Sequence, residues 1–197
     1  MKKLFLLLLL SLSLISFSSW GADFQKGLDA YGSGDYATAL REWRLLAEQG
    51  HAIAQFNLGV MYDKGEGVLQ DNKTAVKWYT LAAEQGHANA QFSLGRMYAK
   101  GQGVTQDYKT AVKWFTLAAE QGHAAAQTGL GLMYAIGDSV PQDYIYAHMW
   151  ANLGASNGDE RGAKFRDDYV VKHMTPSQIE KAQELARECV RKKYKGC

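Results

Sequence analysis

Three histidines, His51, His87 and His123, recur at intervals of 36 residues, each inside the same six letters, AEQGHA, at 47–52, 83–88 and 119–124. Imidazole binds metals and titrates near neutral pH, so a periodic histidine is the first place to look for chemistry. A zinc ion needs its nitrogen ligands about 2.0–2.1 Å away. Equivalent positions in a stack of helices are separated by on the order of 10 Å per helix layer. One ion therefore cannot bridge two of these histidines, and they read as residues that start a helix beside a glycine turn. His148 and His173 are isolated in the sequence. Thr74-Ala-Val-Lys77 and Thr110-Ala-Val-Lys113 set a hydroxyl three residues before a lysine, but they recur as the first turn of a repeated helix. Ser-x-x-Lys, Gly-x-Ser-x-Gly and His-Glu-x-x-His do not occur. Gly65-x-Gly67 and Gly101-x-Gly103 follow helical patterns rather than strands, which removes a dinucleotide site. No catalytic, cofactor-binding or metal-ligating residue is assigned.

The elements that hold these residues are repeats. Residues 51–86 and 87–122 agree at 28 of 36 positions, so each copy must build the same unit. Residues 123–158 are a degenerate third copy that keeps Ala126, Gln127, Leu130, Gly131, Met133, Tyr134, Gln142, Asp143 and Gly158. A period of this length marks a stacked array in which each unit buries its apolar face only against its neighbours. Each copy parses into two helices. The first is predicted over about 52–64, with Ala54, Leu58, Met61 and Tyr62 at helical spacing, and the Gly-x-Gly pair ends it. Asp71 suits the N-cap of the second helix, which carries Ala75, Trp78, Tyr79, Ala82 and Ala83 inward until Gly86 stops it. AEQGHA is thus the hinge that ends one helix pair and opens the next.

The pattern A-x-A-Q-x-x-L-G-x-x-Y-x-x-G-x-G-V followed by D-x-x-x-A-V-K-W-x-x-x-A-A-E-Q-G resembles the Sel1-like repeat family, a relative of the tetratricopeptide repeat. The resemblance implies an all-α, right-handed α/α superhelix. It also implies a role in protein–protein assembly. Residues 22–50 resemble a tetratricopeptide-type pair. Matching Tyr31 and Trp43 to Tyr62 and Trp78 gives it a loop shorter by four residues. Residues 159–197 resemble the C-terminal cap of short exported relatives. Cysteine-rich relatives are linked to penicillin binding and β-lactam hydrolysis and carry a cysteine pair in each repeat; the repeats here carry no cysteine.

The end of the array has its own signals. Residues 159–173 read as a helix. Thr175-Pro176-Ser177-Gln178 supplies an N-cap, a first-turn proline and a capping-box partner. The helix behind it is amphipathic through Ile179, Ala182, Leu185, Ala186 and Cys189. Cys189 and Cys197 read as one local disulfide in an exported chain, with a free thiol or an intermolecular bond as the alternative. The basic run Arg191 to Lys195 suits a helix C-terminus.

Residues 1–21 combine Lys2 and Lys3, an apolar run from Leu4 to Phe17 and small residues at Ser19 and Gly21, the pattern of a secretory signal peptide. The expected destination is the periplasm, with secretion as the alternative and no stable membrane insertion after cleavage. Without Lys2 and Lys3 the remaining basic and acidic side chains balance, so no long-range attraction to nucleic acid is expected.

What varies between otherwise identical copies is the candidate binding surface. Equivalent positions hold Phe56, Phe92 and Thr128; Asn57, Ser93 and Gly129; and Val60, Arg96 and Leu132. The expected partner-binding residues are Phe56, Asn57, Val60, Phe92, Ser93, Arg96, Thr128 and Leu132, on a concave face made by the first helix of each pair. The expected function is a non-enzymatic adaptor in the bacterial envelope that holds a protein or peptide. A β-lactam-directed enzyme and a secreted effector that binds a host protein are the alternatives. A homo-oligomer is left open.

Overall fold

The computed structural model describes residues 23–197; the expected signal peptide lies outside the described residues. Ten α-helices follow one another: α1 Phe24–Gly32, α2 Tyr36–Glu48, α3 Ala52–Lys64, α4 Asn72–Glu84, α5 Ala88–Lys100, α6 Tyr108–Ala119, α7 Ala124–Ile136, α8 Tyr144–Ser156, α9 Glu160–Asp168 and α10 Pro176–Arg191. There is no strand among the described residues. Each helix packs mainly on the one before and the one after it, as an α/α solenoid requires, and α10 departs from that order to pack on α8.

Caps set the frame. Asp35, Asp71, Asp107 and Asp143 open the second helices, each accepting a backbone N–H within the first turn. His51, His87 and His123 stand at the N-caps of α3, α5 and α7. At His87 and His123 the ring Nδ1 accepts the N–H of Ala90 and Ala126, at 3.3 and 3.2 Å. The repeated histidine is a helix start, as its place beside the glycine turn suggests.

The small residues let the axes close up. A Cβ added to Gly95 would fall within 2.7 Å of the Phe115 ring, and one added to Gly59 within 2.5 Å of Tyr79. These two glycines are seats for an aromatic ring from the second helix. Gly27 seats Trp43 in the same way. Trp43 is therefore the counterpart of Tyr79, and the match of Tyr31 and Trp43 to Tyr62 and Trp78 is shifted by one residue. The backbone agrees: the Asp35 N–H donates to Ala30 where the Asp71 N–H donates to Tyr62. The connection is residues 33–35 in the first pair and 65–71 in the second, four residues longer. Trp78 is half-buried, against the core of the preceding pair.

The AEQGHA motif also closes a buried polar clamp. Gln55, Gln91 and Gln127 are almost fully buried. Each donates Nε2 to a carbonyl of the preceding helix, Ala47, Ala83 or Ala119. Each accepts in turn from the amide one unit on: Gln85 at 2.7 Å, Gln121 at 2.8 Å and Asn157 at 2.8 Å. The glutamine of the motif thus reaches back to the buried glutamine of the copy it closes, and the amide oxygen and nitrogen of Gln55, Gln91 and Gln127 all find partners.

The C-terminal end is tied down by Cys189–Cys197, a disulfide with Cα atoms 5.5 Å apart. The loop it closes returns to the array. The Tyr194 hydroxyl donates to Asn157 at 3.1 Å, and the Gly196 N–H donates to Glu120 at 3.3 Å. The stretch 159–173, expected as one helix, is α9 followed by a 3-10 turn over Val170–His173.

Candidate functional site

A groove of about 340 Å³ lies between α5 and α7, with α9 as its far wall. Phe92 and Phe115 form one side; Leu132, Met133 and Phe165 form the other. Arg96, Lys100 and Arg161 stand around them. The lining contains no carboxylate, imidazole or thiol. It supplies apolar contact and positive charge.

The repeats show what separates this groove from the equivalent place one unit earlier. Between α3 and α5 the same register holds Asp63 and Arg96, and their side chains form an ion pair across the two helices. Tyr79 stands behind it, donating its hydroxyl to Asp63 at 3.4 Å. Burial, followed by the neighbouring Asp63 carboxylate, pushes the Tyr79 phenol well above its ordinary value, so it stays a neutral donor. One repeat on, Asp63 becomes Ala99 and Arg96 becomes Leu132. The ionic clasp is replaced by a short apolar side chain and a leucine that stays 42% exposed. Thr128 and Gly129 in place of Phe92 and Ser93 remove further volume on the same side of α7.

The charges at the rim are unequal. Arg96 is held by Asp63. Arg161 makes a two-point contact with Asp159, at 2.8 and 3.1 Å. Burial works against the Asp159 charge, but the Arg161 guanidinium lowers its carboxyl below the ordinary value on balance. Lys100 is exposed and has no carboxylate partner among the described residues.

Of the eight residues expected to bind a partner, the groove brings together Phe92, Arg96, Thr128 and Leu132. The other four lie elsewhere. Phe56 stacks on His87 with ring centres 4.8 Å apart and packs on Tyr79 at 5.8 Å, and Val60 packs on the same core. Asn57 and Ser93 are half-buried outside the groove. Ala99 and Lys100 escaped the sequence reading, although the exchange of Asp63 for Ala99 is visible on aligning the copies. Arg161 and Phe165 had no such signal, because α9 lies beyond the repeated segment.

Among the described residues no group of three or more His, Cys, Asp or Glu side chains is placed to hold a metal ion. None of the described helices is long and apolar enough to cross a membrane.

Matches to the Sel1 repeat family cover residues 52–87, 88–123 and 124–159. Among solved structures the chain is similar to the crystal structure of a Sel1 repeat protein from Oxalobacter formigenes. The two share 35% identity with a TM-score of 0.69, over 73% of this chain and 59% of that one. It is also similar to a protective antigen of uropathogenic Escherichia coli that displays an SLR fold. There the identity is 30% and the TM-score 0.53, over 87% of this chain and 46% of the other. The chain thus spans less than two thirds of either structure. No curated protein matches it.

Proposed function

The chain belongs to the Sel1 repeat family, and from that premise we propose that it is an envelope adaptor that grips a segment of a partner protein in the α5–α7–α9 groove. Proteins of this family are generally protein–protein interaction modules on a non-enzymatic scaffold. The observation that carries the reading is the loss of the clasp. Two helices that are ion-paired in one copy face each other through Ala99 and Leu132 in the next. Exposed apolar contact of this kind is costly unless something covers it. Location in the envelope is supported by the disulfide, which suits a non-reducing compartment.

The test is site-specific crosslinking in cells. A photoreactive phenylalanine at Ala125, on the groove wall, should trap a protein partner. The same group at Leu117, exposed on α6 and not part of the groove lining, should not. Equal trapping from both positions, or trapping only from Leu117, overturns the groove as the binding face.

A further inference from the structure

Resting on that reading, we infer that the segment held in the groove carries a large apolar anchor side chain flanked by carboxylates. The anchor follows from the lining: three phenylalanines, Leu132 and Met133 surround a space sized for one large side chain. The flanking charge follows from the rim. Helices α5 and α7 together contain Arg96 and Lys100 and no acidic residue. Arg161 adds a third cation from α9. Asp63 and Asp159 each engage an arginine of the rim already and do not line the groove. A basic partner would meet Lys100 with no acid in the lining to pair with, whereas an acidic one would pair Lys100 and share Arg161. Seating the anchor also covers the leucine that the missing clasp leaves open.

The test uses the full mature chain and three fluorescent peptides of equal length: one with a central tryptophan flanked by glutamates, one with the same tryptophan flanked by lysines, and one with alanine between glutamates. The acidic tryptophan peptide should bind about tenfold more tightly than either of the others. Lys100→Glu and Arg161→Glu should each weaken it about fivefold or more, and raising salt from about 50 to about 300 mM should weaken it further. Equal binding of the acidic and basic peptides overturns the charge assignment. Equal binding of the alanine peptide overturns the anchor and leaves a simple polyanion surface. Either result can coexist with crosslinking from Ala125, in which case the groove stands and only the stated partner chemistry falls.

Discussion

A buried amide such as Gln91 shows how much rests on single side chains. It is 4% exposed, donates to the Ala83 carbonyl at 3.1 Å and accepts from Gln121 at 2.8 Å. Gln91→Ala removes both bonds and empties a buried site between the helices, and the expected loss is about 2–3 kcal/mol in urea unfolding. Gln85→Ala, which takes the donor from the buried Gln55 oxygen at the solvent edge of the preceding clamp, should cost less, about 1 kcal/mol. The histidines act at the same scale. Burial depresses His87 and His123 below the ordinary value of 6.5, and it does the same to His148. The unfolded chain takes up these protons more readily than the native one. The stability they contribute is therefore present above about 6.5 and lost as pH falls below it. The urea midpoint should drop between pH 7.5 and 5.5, and His87→Asn with His123→Asn should flatten that slope, because asparagine caps a helix without titrating. An unchanged slope would remove His87 and His123 as its source. Residue identity at these places was legible only as repetition. AEQGHA marked a hinge, but the sequence did not say that its glutamine closes a buried clamp, because the partner carbonyls come from the preceding helix.

At the scale of elements, the landing site of α10 is written into the third copy. Leu45, Leu81 and Leu117 occupy one slot of the second helix and are 41%, 43% and 37% exposed. Leu153 fills the same slot on α8 and is 1% exposed, because α10 covers it. Four residues earlier the slot runs Arg41, Lys77 and Lys113, then Met149. The switch from charge to thioether marks where the cap packs, and much of what looks like decay in the third copy is adaptation to that contact. Met149→Lys would bury an unpaired ammonium and should cost about 3 kcal/mol or more. Hydrogen exchange should then show α10 losing protection while α3 to α6 keep theirs, since solenoid units depend on near neighbours. Loss of protection throughout would mean that the cap governs the whole array. Cys197→Ser should cost about 2–3 kcal/mol on the loop-entropy account. Reductant should lower the melting temperature of the parent chain and leave this variant unmoved.

The whole molecule was legible in outline. Period, caps and glycine turns placed most of the helices in the repeats. The shift by one residue at Trp43 comes from matching tryptophan to tryptophan, whereas the slot over the helix glycine holds Trp43, Tyr79 and Phe115 in the first three pairs. The groove was half legible. Comparing copies pointed to Phe92, Arg96, Thr128 and Leu132, but it could not separate variation that opens a space from variation that fills one. That distinction needs the pairing across helices, where Asp63 meets Arg96 and Ala99 meets Leu132.

The same pairing supplies the most direct measurement. Ala99→Asp with Leu132→Arg copies the clasp that the chain already tolerates one repeat earlier, and it leaves the net charge unchanged. The double variant should unfold within about 0.5 kcal/mol of the parent and should lose crosslinking from Ala125. A folded double variant that still traps its partner from Ala125 would contradict the claim that the open groove is what holds it.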